Sequence, residues 1–140
     1  MFRRAILIAL LLAGCQQLPL TPQDLQDRKF EPVPGKGVIY ILRDAVDFSD
    51  QSATISLGKE SSVTMYPGTY YRWVVAPGEY RVTGFGTDAG TISIKAEPGA
   101  LVFVQQRVAP GRFSGSSSYE MIDESKAREI VSRSVLAGTQ

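Results

Sequence analysis

The sequence predicts a mainly β protein, a small antiparallel β-sandwich with a C-terminal α-helix. Three observations carry this. Short stretches rich in β-branched and aromatic residues recur from Gly37 onward, each of strand length. Pro-Gly dipeptides at Pro67-Gly68, Pro77-Gly78, Pro98-Gly99 and Pro110-Gly111 punctuate them. Pro fixes φ at the second turn position and Gly accepts positive φ at the third. A stripe of helical period is confined to the last part of the chain. Strands with turn signals spaced by about 8–12 residues are the pattern of a sandwich or barrel.

The chain of 140 residues opens differently. Arg3 and Arg4 precede an uninterrupted apolar run from Ala5 to Leu12. That run suits a secretory signal and falls far short of the ~20 residues a spanning helix needs. It ends in Leu12-Ala13-Gly14-Cys15, which resembles the lipobox of bacterial lipoproteins. The resemblance implies a signal peptide over 1–14, diacylglycerol transfer to the Cys15 thiol and cleavage before Cys15. It also implies, often, a further acyl chain such as palmitate on the new amino terminus. One chain gives marginal anchoring, whereas two or three hold stably at ~0.8 kcal/mol per buried methylene. Gln16, not Asp, follows, which in Gram-negative lipoproteins implies the outer membrane with the domain facing the periplasm. The membrane, reached through Cys15, is the first expected partner.

Residues 15–35 carry Pro19, Pro22, Pro32 and Pro34 among Gln, Asp and Thr, and read as a membrane tether. Docking of Leu25 or Phe30 onto the domain is the alternative. The sandwich is expected over 36–122. Its first strand, Gly37-Val-Ile-Tyr-Ile-Leu-Arg43, is apolar enough to be buried on both faces. Residues 44–50 read as an acidic loop. Further strands are expected over 53–57, 62–66, 69–75, 79–85, 91–96 and 101–105, with 112–118 as a mobile loop. In the tail, 123–140, Asp123 or Ser125 would cap a helix over 124–136 closed by Gly138. Ala127, Ile130, Val131, Ser134 and Val135 form its apolar stripe. A helix of that length is marginal alone, so the stripe should pack on the sheet.

The strand Ile39-Tyr40-Ile41-Leu42-Arg43, the turn Ala76-Pro77-Gly78-Glu79-Tyr80 and the run Glu97-Pro98-Gly99-Ala100-Leu101-Val102-Phe103-Val104 resemble a bacterial domain-of-unknown-function family of short lipoproteins. The resemblance covers about two-thirds of the chain, and implies a small sandwich with no known activity or site residues. The Asp-rich first loop and the Tyr70-Tyr71-Trp73 cluster depart from it.

Composition removes several function classes. The chain has no histidine and one cysteine, the one at position 15. Ser-His-Asp and Cys-His catalysis and nearly all zinc patterns are therefore excluded. With Cys15 lipidated the mature domain can form no disulfide. The formal net charge of +1 becomes −1 without Arg3 and Arg4, which gives no electrostatic case for nucleic acid.

The candidate chemical motifs are weak. Asp44, Asp47 and Asp50 recur every third residue, but the alternating ligands, central Gly and terminal Glu of a calcium loop are absent, so they read as solvated turn acids. The stretch from Gly84 to Gly90 is glycine-rich but is followed by a strand, not the helix that a phosphate loop needs. Ser56-Leu57-Gly58-Lys59 fits Ser-x-x-Lys without its partner motifs. No catalytic residue, metal ligand or cofactor site is expected.

The aromatic strand is the candidate recognition surface. In it Tyr71, Trp73 and Val75 share one face and Tyr70, Arg72 and Val74 the other. Tyr70, Arg72 and Trp73 are the expected partner-binding residues, being of types enriched at binding hot spots. The alternative makes Trp73 a core anchor with Tyr70 and Arg72 on a solvated face. The expectation is a lipid-anchored envelope protein acting without catalysis as a binding or assembly module toward an envelope protein. The rivals are a small-ligand or glycan carrier with a pocket of Tyr66, Tyr70, Tyr71 or Trp73, and a cell-wall hydrolase needing paired acids such as Asp47 and Glu79.

Overall fold

The computed structural model describes residues 19–59, 61–84, 90–112 and 115–138. The signal, the lipobox and Cys15 lie outside the described residues, as do positions 85–89 of the glycine-rich connection. The described elements are α1 (Pro22–Asp27), β1 (Gly37–Arg43), β2 (Ala53–Leu57), β3 (Ser61–Met65), β4 (Thr69–Val75), β5 (Gly78–Gly84), β6 (Thr91–Ala96), β7 (Leu101–Ala109), β8 (Ser116–Ile122), α2 (Glu124–Ser132) and β9 (Val135–Leu136). The fold is mainly β and sandwich-like, with two sheets and a C-terminal helix. The first sheet runs β8-β7-β1-β4-β9 and the second β3-β2-β5-β6.

The sheets are not antiparallel throughout. β2–β3, β5–β6 and β7–β8 are antiparallel hairpins, as their turns dictate, but β1 lies parallel to β7 and β4 parallel to β9. Turn residues fix the pairing of consecutive strands. They say nothing about which strand the chain joins when it crosses between sheets, and β7 enters the first sheet on the far side of β1 from β4.

Strand β1 is buried along its whole length. Its alternation sorts the interior into two layers. Ile39 and Ile41 face the second sheet and pack with Ile55, Leu57, Met65, Val82, Ile94 and Val104. Val38, Tyr40 and Leu42 face the other way and pack with Phe30, Tyr70, Phe103, Ala127, Ile130 and Val131. The first sheet is therefore the middle layer, covered on its outer face by both helices. Each large aliphatic side chain buried in this way contributes roughly 1.5–3 kcal/mol. The two sheets approach closely at Gly37, where a Cβ would sit 2.6 Å from that of Ala96.

Three segments depart from expectation. The tether is not free over its whole length, because α1 forms within it, with Thr21 accepting from the Asp24 N–H at its N-cap. Phe30 is buried and stacks on Tyr40 at 5.0 Å, whereas Leu25 stays exposed. The Ser-rich stretch is not a mobile loop from 116 on. It is β8, whose low intrinsic preference is overridden by a seven-residue ladder to β7 and by Gln106 Nε2 donating to Ser117 Oγ at 2.9 Å.

The C-terminal helix starts as expected, with Asp123 accepting from the Lys126 N–H, but ends four residues early. Ser134 Oγ donates to the Ile130 carbonyl, and Arg28 donates through Nη1 to Val131 O at 2.8 Å and through Nη2 to Ser134 O. The chain then straightens. Val135 and Ala137 donate their N–H groups to Gly68 O and Tyr70 O, forming β9. Val135 consequently leaves the helical stripe and is exposed, while Ala127, Ile130 and Val131 keep it.

Candidate functional site: the outer edge of β4

The three expected partner-binding residues all lie on β4, on different faces. Tyr70 is fully buried beneath α1 and cannot present its ring to a partner. Its hydroxyl donates to Asp24 Oδ1 at 2.5 Å, and Asp24 also accepts from Arg28 Nε at 2.7 Å. Burial, reinforced by the Asp24 carboxylate, pushes the Tyr70 phenol above its ordinary value. The sequence could not foresee this, because α1 was read as tether.

Arg72 is half-buried on the same face. Its Nε donates to Tyr40 Oη at 3.1 Å and its Nη2 to Glu31 O at 3.0 Å, so its guanidinium fastens the segment after α1. Tyr40 Oη in turn donates to Asp27 O at 2.7 Å. Asp27 is pushed above the usual carboxylate range by burial, partly offset by Gln23 and by Arg72 at 3.9 Å. The face expected to be solvated is thus covered.

Trp73 packs against the inter-sheet core and meets Tyr80 edge-on, with ring centroids 5.1 Å apart. Gly58, at φ +63°, leaves room for the far end of the indole. A hollow of about 280 Å³ opens here, lined by Leu57, Gly58, Lys59, Trp73, Val75 and Tyr80. An adjoining hollow of about 540 Å³ continues past Glu79 and Arg81. Of the four aromatic residues expected to line a pocket, Trp73 lines these hollows and Tyr66, Tyr70 and Tyr71 do not. Tyr80 was missed, although the Pro-Gly-x-Tyr turn marks it.

The backbone of β4 completes the site. Val38 N–H donates to Ala100 O, so Val38, Tyr40 and Leu42 turn their backbone groups toward β7, and Ile39 and Ile41 turn theirs toward β4. Across the antiparallel register those two face Trp73 and Tyr71. Arg72 and Val74 therefore aim their N–H and C=O groups away from β1. Their outer neighbour β9 pairs only with Thr69 and Tyr70. Among the described residues, nothing covers the edge beyond, and Val74 is exposed.

The acidic loop is accounted for by two arginines. Asp47 Oδ2 accepts from the fully buried Arg43 Nε at 2.7 Å, and Asp44 accepts from Arg133 Nε at 2.8 Å and Nη2 at 2.6 Å. Asp44 and Asp47 are not solvated turn acids but structural ones, while Asp50 is exposed. No cluster of three or more potential metal ligands occurs among the described residues. Asp47, near Val108, and Glu79, opposite Lys95, lie toward opposite ends of the sandwich and do not flank a common cleft.

The Arg133 hydrogen bonds hold the Asp44 carboxyl below its ordinary value of 3.8, against the opposing effect of burial. A depressed carboxyl contributes stability that is full above its unfolded value and is lost as pH falls through the folded one. The wild type should therefore melt above Asp44→Asn at pH 6. The gap should close as pH drops below about 4 in a series of thermal melts. A gap that stays constant down to pH 2 would contradict this linkage.

Neither a family model nor a curated protein matches the chain. No helix among the described residues is long and apolar enough to cross a membrane.

Proposed function

We propose that the protein is a bacterial envelope lipoprotein, anchored through acyl chains on Cys15, whose sandwich acts without catalysis as a binding or assembly module. The anchor reading rests on Leu12-Ala13-Gly14-Cys15 at the end of a signal-like apolar run, with Gln16 favouring the outer membrane. The module reading rests on one observation, the open edge of β4 beside the Trp73–Tyr80 hollow. Tethering raises the effective concentration of that edge near envelope partners. The likeness to short sandwich lipoproteins supports the same reading.

Docking of α1 sharpens the mechanism. Only six residues separate Cys15 from the start of α1 at Pro22, a reach of at most ~25 Å over seven residue steps. The domain is then held close to the lipid surface, not several tens of ångströms above it. The second reading is a small-ligand carrier, favoured by the hollows at and beside Trp73, the larger of which, about 540 Å³, is within the size range of ligand pockets.

Cells fed a labelled fatty acid should incorporate label into the wild-type protein and fractionate it with membranes. Cys15→Ala should lose both. Label retained in that variant would end the anchor reading. Cross-linking of the native protein in cells should capture an envelope protein that Cys15→Ala captures poorly, and no reproducible capture would favour the small-ligand reading.

A further inference from the structure

The edge described above has a direction, a register and a chemistry. β9 already occupies its first part, running parallel to β4 through Val135 N–H to Gly68 O and Ala137 N–H to Tyr70 O. It shows that this edge accepts an extended segment in that direction. Among the described residues the pairing stops after Tyr70, and the next outward-facing residues are Arg72 and Val74. Val74 is exposed, Tyr71, Arg72 and Trp73 are half-buried and Val75 is buried, and this stretch contains neither Pro nor Lys. Such residues are the usual protection of a sheet edge against added strands. By contrast, β6, one of the two outer strands of the second sheet, carries exposed Lys95, whereas the other, β3, also has neither Pro nor Lys.

Beside the edge lies the hollow between Trp73 and Tyr80, of a volume suited to one or two apolar side chains. At its rim, among the described residues, Lys59 and Arg81 form no salt bridge, and Glu79 is the single acid among the lining residues of the adjoining hollow. That excess of positive charge selects among occupants. A second copy of the chain, paired edge to edge about a two-fold axis, would bring two such basic rims together. An acidic peptide would neutralise one.

We propose that Arg72 to Val74 of β4 is a strand-addition site for an extended peptide of a protein partner, parallel to β4 in line with β9. One apolar side chain enters the Trp73–Tyr80 hollow, and an acidic residue two positions away, on the same face, meets Lys59 and Arg81. Main-chain hydrogen bonds to Arg72 and Val74 provide attachment, and the hollow and the basic rim provide selectivity. This deepens the module reading and rests on it for its biological role, although peptide binding itself is independent of the anchor.

The test uses the full chain in detergent micelles and the blocked peptide Thr-Asp-Thr-Phe-Thr-Asp-Thr, which places an acid on either side of the apolar residue. Saturable binding should shift the amide resonances of Arg72 and Val74 and slow their exchange by about tenfold or more. Trp73→Ala should weaken binding about fivefold to tenfold. Val74→Pro, which removes an outward N–H and leaves the β1 ladder intact, should abolish it. Should that variant fold poorly, peptides N-methylated at alternate residues in either phase give the same readout on the wild type, and one phase should fail to bind. The proposal falls if no saturable binding occurs. It falls equally if the shifts map to β3, β6 or β8, or if Val74→Pro only abolishes self-association of the chain. If cells carrying Val74→Pro keep every cross-linked partner of the wild type, the module reading survives and the edge proposal does not. Loss of fatty-acid labelling, conversely, would remove the anchor and leave the peptide result standing.

Discussion

Arg43→Met is expected to destabilise the domain by roughly 3–5 kcal/mol, measured by urea unfolding, because it strands a buried carboxylate. Arg43 closes one end of the inter-sheet core and is fully buried. Every nitrogen of its guanidinium is used. Nε donates to Asp47 at 2.7 Å, Nη1 to Gln51 O at 2.7 Å and Met65 O at 3.0 Å, and Nη2 to Ser49 O at 2.7 Å. Asp47 also accepts from the Val108 N–H on β7 at 3.1 Å. One arginine thereby fixes the β1–β2 loop, the end of β3 and, through Asp47, the first sheet. Removing it leaves Asp47 charged in a site where 2 % of its side chain is exposed, and leaves three carbonyls without a donor.

The double variant Arg43→Met with Asp47→Leu should recover part of that loss, because the uncompensated charge has gone. Recovery should be incomplete, since the carbonyls of Ser49, Gln51 and Met65 and the Val108 N–H still lack partners. A single variant that costs under about 1 kcal/mol would mean that water enters and replaces the guanidinium.

How much of this was legible depended on whether local chemistry or tertiary context decides the element. β1, β2, β4 and β6 lie at the predicted positions because β-branched and aromatic runs bounded by Gly and Pro act locally. Gly68 and Gly99 adopt the positive φ that their Pro-Gly turns require. β8 escaped because Ser116-Ser117-Ser118 has no strand propensity, and its ladder comes wholly from β7. The C-terminal helix was overextended because Val135 satisfies the helical stripe as well as it satisfies β9. Gly68 O and Tyr70 O, distant in sequence, decide between the two. The site divides in the same way. Trp73 was legible as a large aromatic in a strand. Which edge is open depends on how far β9 extends along β4, and that is a matter of topology. Arg43 carried a signal that was not used, a lone cation ending an otherwise apolar strand, with Asp47 four residues on supplying the counter-charge.

The network around Asp24 joins the fold to the anchor, and its removal should have an effect beyond stability. Asp24 is 3 % exposed and accepts from Tyr70 Oη and Arg28 Nε, with the Leu136 N–H at 3.4 Å. Asp24→Ala removes the short carboxylate acceptor of a buried phenol, which keeps only the Asp24 carbonyl at 3.3 Å, and frees Arg28 from its ion pair. The expected cost is about 2–4 kcal/mol, with Asp24→Asn milder because an amide oxygen still accepts. Most of that cost should appear as local opening, because α1 is short and is held mainly by this network and by Phe30. Amides of α1 should lose hydrogen-exchange protection while those of β1 keep theirs. Trypsin should cut after Arg28 or Lys29 at least about tenfold faster. With α1 released, the free segment runs from Cys15 to Lys36, and its maximum reach grows from ~25 Å to ~75 Å. A donor dye in the bilayer and an acceptor on exposed Met121→Cys should then show a longer distance in Asp24→Ala than in the wild type. Unchanged proteolysis together with an unchanged distance would mean that Phe30 and the hydrogen bonds of Arg28, Tyr40 and Arg72 to the main chain suffice to hold the segment down. Faster proteolysis with no change in distance would instead show that α1 opens without governing how far the domain stands from the membrane.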